Sequence, residues 1–218
     1  MNEAGGRGAQ GHPSALRLYS LIGLMVLFWA MNFLIGKVAL REFPGVLLSG
    51  LRVSLAALLI LPVYFARRRK APGGREWTRN ELPTLLVLGL FGVGLNQLCF
   101  VTGLGATSVA HASLIMGMTP VVVLVIASVI GQEELTARKV TGLAVALSGV
   151  FVLNRVPAKA SGVTLTGDLL IFGAAATFAI FTVFGKRVTV RHGSITVNTL
   201  AYAAGAMLLS PLTLWEAS

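Results

Sequence analysis

The apolar residues of this chain are grouped in seven runs, most of them close to 20 residues long and separated by short polar segments. An α-helix of about 20 residues spans the hydrocarbon core of a bilayer. In lipid every backbone N–H and C=O needs a partner within the structure, and these runs lack the alternation of membrane β-strands. Only 12% of the residues are charged, about half the fraction of a typical soluble domain. The sequence therefore predicts an all-α membrane protein, a polytopic helical bundle of about seven transmembrane helices.

The predicted spans account for most of the chain and leave no separate soluble domain. They are Leu16–Gly36, Val46–Ala66, Leu82–Val101, Val109–Ile130, Val140–Leu153, Asp168–Val188 and Ile195–Trp215. Residues 1–15 are rich in glycine and polar residues, and we expect them to form a disordered cytoplasmic tail. The first apolar run is longer than the core of a signal peptide, about 7–15 residues, so it is interpreted as a retained helix.

Positive charge is distributed unevenly between the two sides of the predicted bundle. The net charge is +10, which in a soluble protein would suggest a nucleic-acid partner. With a cytoplasmic N-terminus, 13 of the 18 lysines and arginines fall on the cytoplasmic side and 4 on the other. This bias is the usual orientation signal of membrane proteins. We therefore expect a multi-pass protein of the plasma membrane, the inner membrane in a bacterium, in contact with lipids and not with nucleic acid.

The sequence matches itself without a gap when it is shifted by 149 residues. The matched pairs include Gly36 with Gly185, Lys37 with Lys186, Pro62 with Pro211 and, conservatively, Trp29 with Phe178. The sixth span thus repeats the first, so five helices make one unit. Because five is odd, the second unit begins on the opposite side of the membrane, which gives the inverted repeat that recurs in transporters. We expect residues 16–155 to form the first repeat and residues 156–218 the start of a second, incomplete one.

Three stretches of the chain are similar, in order and spacing, to one known family. Phe28–Lys37, with the sequence FWAMNFLIGK, is similar to that family's first helix, and Leu51–Ala57 to its arginine-bearing second helix. The segment from Asn96 to Gly149, which includes Thr119-Pro120, is similar to the block from the third helix to the fifth. The chain therefore resembles the drug/metabolite transporter superfamily, in its EamA-like branch.

The resemblance implies ten helices in two five-helix repeats around a central cavity. It also implies transport of small amphipathic metabolites, such as amino-acid-like compounds or drugs, by alternating access, with export as the favoured direction. The present chain ends after the second helix of the second repeat. Two interpretations stay open: a carrier whose missing helices come from a longer chain, a homodimer or a partner chain, and a truncated subunit that pairs with a full-length transporter without transporting. The expected ligand is a small-molecule substrate.

Polar residues inside the spans are candidate substrate-binding residues, because burying them in lipid is costly. Together with two aromatic residues, the candidates are Trp29, Asn32, Arg52, Asn96, Gln97, His111, Phe178 and Asn198. Arg52 either positions an anionic group of the substrate or extends outward to the lipid headgroups. His111 either takes part in proton coupling, since histidine titrates near neutral pH, or is a hydrogen-bonded packing residue.

Spacing within the spans adds two expectations. Pro120 lies in the middle of the fourth span and removes a backbone donor, which predicts a kink. On the third span a set of residues recurs every three or four positions and shares one face, suited either to close helix packing or to a cavity. That set is Gly89, Gly92, Asn96, Phe100 and Gly103.

Other functions find little support in the sequence. Cys99 is the single cysteine, so an intramolecular disulfide and a cysteine-based metal motif are excluded, and we expect neither a metal nor a cofactor. An intramembrane serine protease is disfavoured because no Gly-x-Ser-x-Gly motif is present and His111 is the only histidine within a span. A seven-helix retinal protein would need a lysine in the last span, which has none.

Overall fold

The computed structural model describes residues 15–70, 79–154 and 163–218, and within these ranges every regular element is helical. The α-helices are α1 Ala15–Ala39, α2 Gly45–Lys70, α3 Leu82–Gly89, α4 Asn96–Ala106, α5 Val109–Gly117, α6 Thr119–Val129, α7 Ala137–Asn154, α8 Leu165–His192 and α9 Ser194–Ala217. A 3-10 turn, Arg79–Glu81, precedes α3, and a π-helical segment, Leu90–Leu95, joins α3 to α4. The predicted disordered tail lies outside the described residues, apart from Ala15 at the start of α1.

Six stretches of the described residues are long and apolar enough to cross a bilayer. They are Ala15–Ala39, Gly45–Arg69, Leu82–Ala106, Val109–Val129, Leu165–His192 and Ser194–Glu216. They correspond to six of the seven predicted spans, and the all-α polytopic fold class is confirmed. The remaining predicted span, Val140–Leu153, lies within α7, an 18-residue helix that is not among the six. Because α7 begins with Ala-Arg-Lys, its apolar part is shorter than those of the other helices.

The outer surface of the bundle is apolar. Large side chains such as Phe28, Leu58 and Val129 are mostly exposed, and α1 buries only Gly36 among its residues. In water an exposed apolar surface of this extent would drive association, whereas in lipid it carries no such cost. The described part of the chain is therefore built as a multi-pass membrane protein.

Contacts at the helix ends define two faces of the bundle. Lys37 near the end of α1 and Thr164 just before α8 both bond to carbonyls at the end of α4, so α1 and α8 run antiparallel. We call this side, with the loops that follow α1 and α4, the Lys37 face. On the opposite side Arg191 at the end of α8 pairs with Glu81 before α3, with 2.9 Å between nitrogen and oxygen. We call that side, which includes the loop after α6, the Glu133 face.

Helix α8 crosses α4 at a contact between two glycines. A Cβ added at Gly167 would lie 2.5 Å from the carbonyl oxygen of Ala106, and one at Gly103 would lie 3.0 Å from the carbonyl oxygen of Gly167. Only glycine allows the two backbones to approach so closely. The larger of the two buried clusters found among the described residues surrounds this crossing and comprises Leu48, Phe100, Val101, Leu104, Ala112, Ile171 and Ala174.

The shared face of the third span packs against α8 and α9. A Cβ at Gly92 would lie 2.3 Å from the ring of Phe181 on α8, and one at Gly89 would lie 2.7 Å from a side-chain carbon of α9. The Asn96 side chain donates from Nδ2 to the carbonyl oxygen of Ala174, at 2.8 Å. These contacts are those of close helix packing. The residue spacing on this face had left two alternatives open, close helix packing or a cavity.

The fourth span is interrupted at its centre, between α5 and α6. Pro120 has no N–H to donate to the carbonyl of Met116, and the hydroxyl of Thr119 donates to that oxygen instead, at 2.6 Å. The backbone N–H of Met118, which lies outside both helices, bonds to the carbonyl of Ile115 at 3.0 Å. Pro120 is the residue for which the sequence predicts a kink, and the helix is broken beside it.

Candidate functional site

A groove of about 500 Å³ lies beside the interruption of the fourth span, between that span, α1 and α8. It is lined by Trp29, Met116, Gly117, Thr119, Pro120, Val123, Leu124, Ala127, Glu133, Lys139, Phe178 and Thr182. Several lining residues recur every three or four positions along α5 and α6, so one apolar stripe of the broken span forms the wall. The volume is in the range of small-molecule sites, which are mostly apolar with a few polar groups.

Two aromatic side chains face this groove from helices that the sequence analysis assigns to different repeats. Trp29 comes from α1 and Phe178 from α8, and the two positions are counterparts under the 149-residue shift. The ring of Phe178 also contacts that of Phe181, with 6.4 Å between the ring centroids. The structure thus brings together two of the candidate residues that lie 149 positions apart in the sequence.

Asn32 and Arg52 form a second pair, between α1 and α2. The Arg52 guanidinium donates from Nη2 to Oδ1 of Asn32. Its Nη1 lies 3.4 Å from where a Cβ on Gly36 would stand, so the absence of a side chain there leaves room for the guanidinium. Within the described parts of the chain no carboxylate pairs with Arg52. A guanidinium has five N–H donors, and the hydrogen bond to Asn32 is the one that Arg52 makes within the described residues.

The other polar candidates lie apart from the groove lining. Asn96 is buried and bonded to α8, and Asn198 is half-buried on α9. The side-chain oxygen of Gln97 is buried and has no hydrogen-bond partner in the described residues. His111 lies at the start of α5, on the Lys37 face. Of the eight candidates, Trp29 and Phe178 line the groove, and Asn32 and Arg52 pair between α1 and α2. The structure places the other four candidates in neither group.

The Lys37 face holds a polar cluster around Asp168 that sequence reasoning missed. Asp168 accepts from the Thr107 hydroxyl through Oδ1, and its Oδ2 lies 3.1 Å from Nδ1 of His111. Lys37 donates from Nζ to the carbonyls of Leu104 and Thr107, at 2.6 and 2.7 Å, and so caps the end of α4. Among the histidines only His111 lies within a span predicted from the sequence, but its carboxylate partner is 57 positions away.

The Glu133 face holds a charged cluster at one end of the groove. Glu133 accepts from Lys139 at 2.8 Å and pairs with Lys186 at 3.4 Å. The hydrogen bond from Lys139 holds the pKa of the Glu133 carboxyl below its ordinary value, and the charge of Lys186 acts in the same direction. Glu133 is therefore ionised at neutral pH, and the three side chains together carry one net positive charge.

An apolar helical bundle with a groove between its spans is compatible with a membrane transporter. The sequence profile of the EamA-like transporter family matches residues 16–155, more than half of the chain. The chain belongs to the EamA-like transporter family.

Curated relatives are also described as transporters. The chain is 26% identical over 196 residues to an uncharacterized transporter of Archaeoglobus fulgidus, covering 90% of this chain and 67% of the relative. It is 26% identical to the uncharacterized transporter YetK of Bacillus subtilis, covering 86% and 57%. It is 27% identical to a "Probable amino-acid metabolite efflux pump" of Salmonella typhimurium, covering 88% and 60%. The chain thus spans between about half and two thirds of the length of such relatives. No solved structure matches the chain.

Proposed function

We propose that this protein exports small amphipathic metabolites that carry a carboxylate, amino-acid-like compounds among them, by alternating access. The observation that carries the proposal is the groove, in which Trp29 and Phe178, counterparts in the two repeats, line one cavity beside a broken helix. Membership of a transporter family supports it. The relatives described as amino-acid metabolite efflux pumps, in Salmonella typhimurium and Escherichia coli, favour export and this substrate class.

In this proposal one small molecule contacts both the groove and the Asn32–Arg52 pair. Asn32 follows Trp29 by three residues on the same helix, a rise of about 4.5 Å. An apolar or aromatic body would pack against Trp29 and Phe178, and a carboxylate would bind the guanidinium of Arg52. Because the aromatic pair supplies area without fixed polar contacts, this part of the site accepts bodies of different shape.

The contacts at the two faces support a state in which the groove is open toward the Glu133 face and closed toward the Lys37 face. The groove extends to Glu133 and Lys139 on the Glu133 face, whereas Lys37 and the Asp168 cluster join α1, α5 and α8 on the other. We propose that the interrupted fourth span acts as a hinge, and discontinuous helices line the sites of many transporters. The antiparallel course of α1 and α8 agrees with the proposed inverted repeat.

The bias of lysine and arginine leads us to place the Glu133 face in the cytoplasm. In a Cys99→Ser background, Glu42→Cys in the loop after α1 should react with a membrane-impermeant maleimide in intact cells. Glu134→Cys in the loop after α6 should react only after the cells are permeabilised. Both side chains are exposed in the structure, so access to the reagent depends on the side of the membrane. The reverse labelling pattern would contradict the orientation.

Trp29→Ala is expected to weaken transport of amphipathic substrates. Removing an aromatic wall of the groove costs about 1–2 kcal/mol of binding, so we expect the half-saturation concentration to rise about tenfold. The measurement is counterflow of a panel of radiolabelled amino-acid-like compounds in proteoliposomes that contain the chain.

The matched control for this experiment is Phe28→Ala. Phe28 is the neighbouring aromatic on α1, is 63% exposed and does not line the groove. It should leave the half-saturation concentration unchanged. An equal effect of both substitutions would remove the groove from the proposal. Substrate binding without any flux would favour the non-transporting subunit that pairs with a full-length transporter.

A further inference from the structure

The proposed substrate site makes no use of the polar side chains at the Lys37 face, which are Lys37, Thr107, His111 and Asp168. Both carboxylate oxygens of Asp168 are engaged, one by the Thr107 hydroxyl and one by Nδ1 of His111. An ionised carboxylate only accepts hydrogen bonds, so His111 donates from Nδ1, as either the neutral ring or the imidazolium. The side chains of His111 and Asp168 are 31% and 25% exposed, so protons from the Lys37 face can reach them.

The two partners of this contact belong to parts of the fold that are held differently. Asp168 lies on α8, which is fixed to α4 by the glycine crossing at Gly167. His111 lies on α5, which ends at the interruption around Met118 and Pro120. A swing of α5 about this interruption would open the Lys37 face without separating α4 from α8. Such a movement breaks the contact between His111 and Asp168.

We propose that His111 and Asp168 form a proton-binding latch, in which a proton taken up by His111 from the Lys37 face holds that face closed. The inference rests on the proposed function, because closing one face matters to a protein that opens to both sides in turn. Protonation turns the contact into a charge-assisted hydrogen bond between imidazolium and carboxylate, about twice as strong as a neutral one. Export should therefore slow as the pH on the Lys37 face is lowered.

Apart from Asp168, the charged side chains on the described helices that pack against α5 do not contact His111. Lys37 on α1 is bound to the carbonyls of Leu104, Gly105 and Thr107, and it reaches Asp168 only through Thr107. Helix α4 has no charged side chain, and the charged residues of α7 stand at its first turn, on the Glu133 face. The described groups therefore leave His111 as the site where a proton changes the charge of the latch.

A buried position on α5 allows the latch to be tested without any substrate. Ala112 follows His111 and is fully buried against α4 and α8. In a Cys99→Ser background, Ala112→Cys should react with a maleimide only when the Lys37 face opens. The measured quantity is the rate of maleimide labelling in detergent. This rate is divided by the labelling rate of the same Ala112→Cys protein that also carries His111→Gln. The part of the thiol's pH dependence that both proteins share cancels in this ratio.

We expect this ratio of labelling rates to be close to one at pH 8 and about fivefold lower at pH 5.5. The decrease is the effect expected when one neutral hydrogen bond becomes charge-assisted. Asp168→Asn should abolish the pH dependence as His111→Gln does. His192→Gln is the control, because His192 contacts Glu81 at 3.2 Å on the opposite face, and it should retain the pH dependence. A ratio that does not change with pH, or a loss of pH dependence in the control, would overturn the latch. Since no transport is measured, this result is independent of the proposed function.

Discussion

Replacing Arg52 by alanine is expected to lower the transport of carboxylate substrates at least tenfold. Hydrogen bonds to charged groups contribute about 1.5–3 kcal/mol, and each 1.4 kcal/mol is a factor of ten in affinity. The methyl ester of the same compound, which lacks the negative charge, should lose much less. The measurement is flux of acid and ester in proteoliposomes, together with their stabilisation of the detergent-solubilised protein against heat.

Two further variants separate a substrate-binding role of Arg52 from a structural one. Arg52→Lys keeps the charge and should retain part of the preference for the acid, although lysine cannot bind a carboxylate in the same bidentate way. Asn32→Ala removes the partner that Arg52 contacts across α1 and α2. If acid and ester lose flux equally in Arg52→Ala, and Asn32→Ala has the same effect, the guanidinium joins the helices and does not bind substrate.

Gly167→Ala is expected to destabilise the protein by about 1–3 kcal/mol, as overpacked core positions do. The added methyl group would lie 2.5 Å from the carbonyl oxygen of Ala106, which is backbone and cannot rotate away. Helices α4 and α8 would have to separate, and the buried cluster around their crossing would loosen. The measurement is the midpoint of unfolding by heat or by sodium dodecyl sulfate, with correct membrane insertion checked first.

Gly23→Ala provides the matched control for the crossing. Gly23 lies within α1, and a Cβ there would meet no atom within 4 Å. Replacing a helical glycine by alanine without strain stabilises a protein by about 0.4–1 kcal/mol, because the unfolded chain loses freedom. The two glycine substitutions should therefore have opposite signs. Equal stability of Gly167→Ala and the parent would show that α4 and α8 do not cross at this point.

Much of the candidate site could be named from the sequence, but its grouping could not. Trp29 and Phe178 were recognised as counterparts under the repeat, and Asn32 and Arg52 as polar residues within spans. The sequence did not place Glu133 and Lys139 on the groove, because an acidic and a basic residue after a span are typical of any loop. Asp168 was missed as a partner of His111 because it stands at the edge of its predicted span, where a carboxylate is not unusual.

The sequence by itself determined that the chain crosses a membrane as helices, where those helices lie, and that the fourth contains a proline at its centre. These properties depend on hydropathy, length and backbone chemistry, which act over one span at a time. The tertiary structure decided which side chains meet: Arg52 with Asn32, Lys186 with Glu133, and His111 with Asp168. Such meetings depend on the rotation and tilt of each helix, which are set by packing against its neighbours, here by the glycine crossing of α4 and α8.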